Sequence, residues 1–223
     1  MRSWAEINLD NLRYNINTLK SLAGKSEVMP VIKANAYGHG LEKILEVIVE
    51  NVNWIGVATL EEAEMVRNIS KSVNVLVLGP IENEDMGRAV SQNIAFPLTS
   101  MDEINYLYEN NIRPRVHIKV DTGMGRVGFD MSDLDKLKEK LKEKDLIDVE
   151  GIFSHLSSAD TSKEYTEWQL ENFKEVVKKF HDVKYKHILN SFGSMQFDEA
   201  KYDIIRPGII LYGGIKEKNS FSY

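Results

Sequence analysis

Pro114-Arg-Val-His-Ile-Lys-Val-Asp-Thr-Gly-Met-Gly-Arg-Val-Gly128 is the stretch on which the fold turns. Its first half, Pro114–Val120, is rich in β-branched and apolar residues and reads as a strand. Its second half fits two well-known patterns, and both fail. Gly123-Met-Gly-Arg-Val-Gly128 matches the G-x-G-x-x-G of dinucleotide-binding folds, where a helix opens within the glycines so that its N-terminus meets a pyrophosphate. Here Phe129, Asp130 and Met131 intervene and Ser132 is the first plausible N-cap, so the helix starts too late. Asp121-Thr-Gly123 is also the tripeptide of aspartic proteases, which need two such carboxylates sharing one proton. A single copy in an α/β chain is a strand-to-loop corner. What remains is a strand, a glycine loop, and a helix with Leu134, Leu137 and Leu141 on one face. The charge run from Lys136 to Asp145 is that helix's solvated side.

The same unit recurs on both sides. Further strand-like runs are Val28–Lys33, Trp54–Ala58, Val73–Gly79, Ile94–Leu98, Val149–Ser154, Tyr185–Leu189 and Ile204–Ile205. Several are continuously apolar, as in parallel strands covered on both faces. Helical spacing lies between them, for instance Phe173, Val176, Val177 and Phe180 at i, i+3, i+4 and i+7. Eight strand–helix alternations predict an α/β chain folded as a (β/α)8 TIM-type barrel over residues 10–214. Only a short tail, 215–223, follows the last strand, while a helix from Asp10 to about Ala23, stopped by Gly24, precedes the first. That helix is expected to fill the gap between strands eight and one. Within residues 1–9, the alternating Ser3–Leu9 reads as an extra strand outside the barrel, an unpaired edge.

Composition narrows the function. Net charge is −6 and no face concentrates Lys and Arg, which argues against nucleic acid and anionic membrane as partners. The absence of cysteine excludes disulfides, thiolate metal sites and a cysteine nucleophile. The five histidines have no metal-ligand spacing, so no metal is expected. Without a signal peptide or an apolar run of ~20 residues, the chain is expected to be cytoplasmic.

Barrels of this kind do chemistry at the C-terminal ends of their strands and hold phosphate after strands seven and eight. The rule selects Lys33 at the end of strand one, Arg126 past strand five, and His155 after strand six. It also selects Asn190 and Ser191 after strand seven, and Arg206, Gly208 and Ile209 after strand eight. Met29-Pro-Val-Ile32 gives Lys33 an apolar approach, which would disfavour the ammonium and favour the neutral amine that attacks a carbonyl. Ser191 with the Gly208 and Ile209 backbone N–H groups forms a phosphate cradle. A phosphate-bearing aldehyde with a pyridine ring satisfies this set.

At this point the chain resembles the alanine racemases. The resemblance rests on Trp4-Ala-Glu-Ile-Asn-Leu9, Val31-Ile-Lys-Ala-Asn-Ala-Tyr-Gly-His-Gly40, Lys119-Val-Asp-Thr-Gly-Met-Gly-Arg126, Ser154-His155, Asn190-Ser191 and Arg206-Pro-Gly-Ile-Ile-Leu-Tyr-Gly213, in this order along the chain. It implies that Lys33 carries pyridoxal 5'-phosphate as an imine and acts as the base on one face of the substrate. Tyr37, Ser191, Gly208 and Ile209 would hold the phosphate. Arg206 would donate to the pyridine nitrogen with His155 supporting it, and Arg126 would stand near the cofactor O3′ and the substrate carboxylate. Lys119 matches a position that is carbamylated in some relatives, and an unmodified barrel lysine is the other reading.

The resemblance also implies what is missing. In the family a tyrosine from a C-terminal β domain, contributed across a homodimer, is the second acid/base, and the opening strand pairs with that domain. The chain therefore reads as a truncated alanine racemase, an isomerase supplying D-alanine for the cell wall, with little activity alone. The alternative is a single-domain protein that binds pyridoxal phosphate and manages its supply without racemising anything.

Overall fold

The computed structural model describes residues 5–215. Among these residues eight strands form, each overlapping the apolar run that predicted it: β1 Glu27–Val28, β2 Trp54–Val57, β3 Asn74–Val77, β4 Phe96–Leu98, β5 Arg115–Lys119, β6 Asp148–Phe153, β7 Tyr185–His187 and β8 Ile204–Ile205. All pairings along the ladders β2–β3, β4–β5–β6–β7 and β8–β1 are parallel, with one register shift between β5 and β6 at Val116/His117. The remaining seams are sealed by shorter contacts. Ile32 N–H donates to Gly56 O and Gly56 N–H to Pro30 O between β1 and β2, both at 2.9 Å. Ala95 N–H donates to Val75 O (3.0 Å) between β3 and β4, and Arg206 N–H to Leu189 O (3.0 Å) between β7 and β8. The ring 1-2-3-4-5-6-7-8-1 is closed, which leaves no open edge.

Alternation along the strands sorts the core. Ile55, Val75, Val77 and Ile205 point outward and join the large cluster under the helices. Met29, Trp54, Leu76, Ala95 and Ile204 form a separate cluster inside the ring. The helices are α1 Leu9–Ala23, α2 Lys33–Tyr37, α3 Leu41–Ile48, α4 Leu60–Ile69, α5 Met86–Ser91, α6 Met101–Glu109, α7 Leu134–Lys142, α8 Lys163–Lys179 and α9 Ser191–Gln196. The leading helix α1 packs against β1, α3, α9 and the short 3-10 turn Ile209–Tyr212, so it occupies the eighth helix position. Asn15 Nδ2, buried on α1, donates to Leu211 O (3.0 Å) across that join.

Three expectations need correction. The first strand does not reach Lys33: Pro30 offers no N–H to a ladder, and Lys33 opens a new turn instead. The expected N-cap Ser132 does not cap α7: it lies inside a 3-10 turn, Met131–Asp133, which Asp130 caps by accepting from Ser132 N–H and Oγ, and Asp133 is the residue that precedes the helix. Of the expected strand Ser3–Leu9, Ser3 and Trp4 lie outside the described residues, Ala5–Asn8 form no strand, and Leu9 already opens α1, capped by Asn8. The expected tail 215–223 lies outside the described residues apart from Ile215. Among the described residues no helix is long and apolar enough to cross a membrane.

Candidate active site

The turn after β1 is left-handed. Ala34, Asn35, Ala36 and Tyr37 all sit at φ between 52 and 54°. Each non-glycine residue there costs about 1–2 kcal/mol, so such runs persist only where surrounding contacts hold them. Glu62 on α4 supplies two: its carboxylate accepts from Ala34 N–H (2.6 Å) and from Ala58 N–H at the end of β2 (2.8 Å). Asn35 Oδ1 accepts from Leu41 N–H (2.8 Å), tying the turn to α3. The geometry presents Lys33 and Tyr37 on the barrel mouth. Burial, then the Glu62 charge, raises the Tyr37 phenol above its ordinary range and keeps its proton on. The expected apolar setting of Lys33 is not what forms. Met29, Val31 and Ile32 are buried in the core, while Lys33 is exposed at the rim with its Nζ 6.0 Å from the Tyr37 ring centre.

The glycine loop after β5 is built on Asp121. Its carboxylate accepts from the N–H groups of Gly123 (2.8 Å), Met124 (2.8 Å) and Arg126 (2.9 Å). Burial opposes ionisation, but these donors and that of Gly125 outweigh it and hold the carboxyl below its usual range. Gly123, Gly125 and Gly128 adopt φ of 129, 68 and 124°, which only glycine takes readily, and this is what the motif encodes. The loop delivers the Arg126 side chain to the cleft beside Lys119, the last residue of β5. Lys119 is buried with its Nζ 4.5 Å from the Phe153 ring centre. Burial, followed by the charges of Arg206 and Arg126, brings its amine down to about 7.

Arg206, just past β8, is buried and meets no carboxylate among the described residues. Its Nη1 donates to His187 Nδ1 (2.6 Å), and its Nη2 to the carbonyls of Ser154 (2.6 Å) and Ile188 (3.1 Å). His187 Nε2 lies 2.7 Å from His117 Nδ1, so a polar column runs from the mouth into the barrel interior. The histidine bonded to Arg206 is thus His187 and not the expected His155. Residues 154 and 187 face Arg206 because β8 pairs beside β7, a relation that strand alternation on Tyr185–His187 could have suggested. Burial lowers the Arg206 guanidinium to about 9, so it remains a cation at neutral pH. His155 lines the same cleft; burial and then Arg206, Lys119, Arg126 and Lys33 hold it well below the ordinary histidine range, neutral.

Opposite these groups lies a cradle. Ser191 Oγ accepts from Gly208 N–H (2.9 Å) and Ile210 N–H (3.4 Å), which leaves its own O–H free to donate. The Gly208 N–H, expected to meet an anion directly, is instead spent on that hydroxyl. Ile209 opens the 3-10 turn, so its N–H has no partner within the turn. A side chain at Gly208 would collide with the Tyr37 hydroxyl, which lies over its Cα. Asn190 lines the cleft, but its amide is occupied: Oδ1 caps α9 through Gly193 N–H (3.0 Å) and Nδ2 donates to Leu156 O (3.3 Å).

Lys33, Tyr37, Lys119, Arg126, His155, Asn190, Ser191, Arg206, Gly208 and Ile209 border one cleft of about 680 Å³, inside the range of small-molecule sites. Among the described residues, Lys33, Lys119, Arg126, His155 and Arg206 line it and no Asp or Glu does. It is built to receive anions, and it offers an accessible primary amine at its edge. No group of three or more His, Asp or Glu among the described residues is placed to hold a metal ion.

Comparison with known proteins gives this cleft a context. Residues 7–216 match the family model described as "Alanine racemase, N-terminal domain". The alanine racemase of Carboxydothermus hydrogenoformans is 38% identical over 221 residues, covering 94% of this chain and 60% of that protein. That of Fusobacterium nucleatum is 37% identical over 218 residues, covering 95% and 61%. The solved structure of alanine racemase from Clostridium difficile 630 matches with a TM-score of 0.90 at 33% identity, covering 99% of this chain and 61% of that one. The chain spans about 60% of the length of the curated relatives it matches.

Proposed function

We infer, since the chain belongs to the alanine racemase N-terminal-domain family, that its cleft binds pyridoxal 5'-phosphate and that it is the cofactor-bearing barrel of an enzyme interconverting L- and D-alanine. The observation that carries this reading is the cleft itself: one rim lysine, a hydroxyl-and-glycine cradle, and a buried arginine that meets no carboxylate among the described residues.

The residues fit the group. Arg206 has spent three of its five N–H donors on His187, Ser154 and Ile188, which leaves two for a ring nitrogen that can only accept. The Tyr37 and Ser191 hydroxyls and the Ile209 N–H offer three donors to a phosphate, and the bare Cα of Gly208 lets Tyr37 approach. Lys33 would hold the aldehyde carbon. When bound, the cofactor supplies an electron-withdrawing ring that makes the α-proton of an amino acid removable.

The rest follows from the chain's own groups. Arg206 can only donate, so it would hold a ring nitrogen that accepts and would not supply the counter-charge that keeps such a nitrogen protonated. Arg126 would orient the substrate carboxylate through its planar fork. Lys33 would move the proton on one face. Exchange of hand needs a second acid/base on the other face, and no described tyrosine other than Tyr37 lines the cleft. Racemisation at full rate is therefore proposed for the longer protein acting as a homodimer, with this chain capturing cofactor but racemising slowly.

Borohydride reduction after incubation with pyridoxal phosphate, followed by peptide mapping, tests the assignment. A label on Lys33, lost in Lys33→Ala, is expected. Labelling spread over surface lysines, or unchanged in the variant, overturns it.

A further inference from the structure

One face of α8 reaches into both loops that carry Arg126 and His155 into the cleft. Tyr165, Gln169 and Asn172 stand at i, i+4 and i+7, so they share that face. Tyr165 Oη donates to Gly123 O (2.6 Å) and Asn172 Nδ2 to Thr122 O (3.1 Å), both in the loop that delivers Arg126. Gln169 is fully buried with both ends of its amide engaged. Its Nε2 donates to His155 O (3.1 Å), and its Oε1 accepts from Ser157 N–H (2.9 Å) and Ser157 Oγ (3.0 Å). The two loops are also tied to each other, since Thr122 Oγ1 and Ser154 Oγ lie 2.7 Å apart and buried.

Every one of the α8 bonds reaches the main chain or a serine of the loops, and none reaches a cleft side chain. Such bonds do not recognise a ligand. They fix where the backbone that bears Arg126 and His155 can stand. A buried amide bonded at both ends is also costly to leave unpaired, so the pairing is specific.

We propose that the Tyr165–Gln169–Asn172 face of α8 is a positioning element: it holds the β5 and β6 loops in register so that Arg126 and His155 stand correctly in the cleft. The consequence for ligand binding rests on the cofactor reading above; the mechanical part does not.

Two measurements on the same chain separate these parts. Backbone hydrogen exchange, read without cofactor, reports the clamp. Gln169→Met should quicken exchange of the Ser157 amide about tenfold, and Asn172→Ala, a half-buried site that tolerates truncation, should quicken exchange across Gly123–Arg126 by a similar factor. Titration with pyridoxal phosphate reports positioning. Both variants should weaken its Kd about tenfold, while Gln169→Glu, which keeps the acceptor for Ser157 but loses the donor to His155, should fall between Met and wild type. Wild-type exchange in both variants overturns the clamp. Faster exchange with unchanged Kd reduces α8 to a structural support and overturns the positioning claim. Exchange as expected in a wild-type chain that takes up no cofactor supports the clamp and removes the cofactor reading instead.

Discussion

Replacing Lys119 with methionine should make the protein more stable at neutral pH, by about 4 kcal/mol. Lys119 is 4% exposed, makes no ion pair among those described, and its amine titrates at about 7 against an ordinary 10.5. The folded chain therefore binds fewer protons than the unfolded one between pH 7 and 10.5, and stability rises with pH through that window. Below pH 7 the full cost of burying the amine is present; above 10.5 it is gone. The gap of about 3.5 units, at 1.36 kcal/mol each, leaves about 4 kcal/mol at pH 7, where half the amines are already neutral. Methionine keeps most of the apolar stem, so packing against Phe153 changes little. Urea unfolding of both proteins from pH 7 upward checks this through their difference, which should shrink by up to about 1.4 kcal/mol per pH unit and close near the ordinary lysine value. Two stability curves that run parallel across the window would refute the reasoning.

Three other outcomes are expected. Gly208→Ala should abolish uptake of pyridoxal phosphate, because the new methyl occupies the Tyr37 hydroxyl's place; adding Tyr37→Phe should restore the native fold, seen as recovery of the Tm, without restoring the affinity. Ala34→Gly should leave stability unchanged or raise it by up to about 1 kcal/mol, since relief of left-handed strain offsets glycine's entropy; a loss of about 1 kcal/mol, as in a right-handed helix, would contradict the turn. Burial and then the Arg115 and Arg206 charges keep His117 neutral down to about 3. Its folded value lies below the unfolded 6.5, so stability should fall as pH drops from 6.5 toward 3, at about 1.4 kcal/mol per unit. Acid unfolding of His117→Leu should be shallower by that amount, and equal slopes would count against the assignment.

The barrel was legible because parallel strands under helices are continuously apolar, so even Ile204–Ile205, two residues long, was placed by its neighbours. The site was legible as far as the strand-end rule reaches: Lys33, Arg126, His155, Ser191, Arg206, Gly208 and Ile209 all border one cleft. Three things were not legible, each for a physical reason. The left-handed turn is invisible in Ala34-Asn-Ala-Tyr37, since the Glu62 and Asn35 bonds that hold it depend on tertiary placement. The 3-10 turn before α7 is not visible either, because Asp130, Ser132 and Asp133 are all residue types that cap well and the choice among them rests on local geometry. His187 was passed over because a lone histidine on a short strand carries no spacing signal, and its value comes from Arg206, nineteen residues away.

The column beneath Arg206 has one further implication. A guanidinium only donates, so His187 must accept at Nδ1 and carry its hydrogen on Nε2; that hydrogen points to His117 Nδ1, and His117 in turn keeps its own on Nε2. Every hydrogen in the row therefore faces away from the mouth. A proton could travel inward along it only if the arginine surrendered one first, so this row does not relay protons from the cleft into the barrel interior.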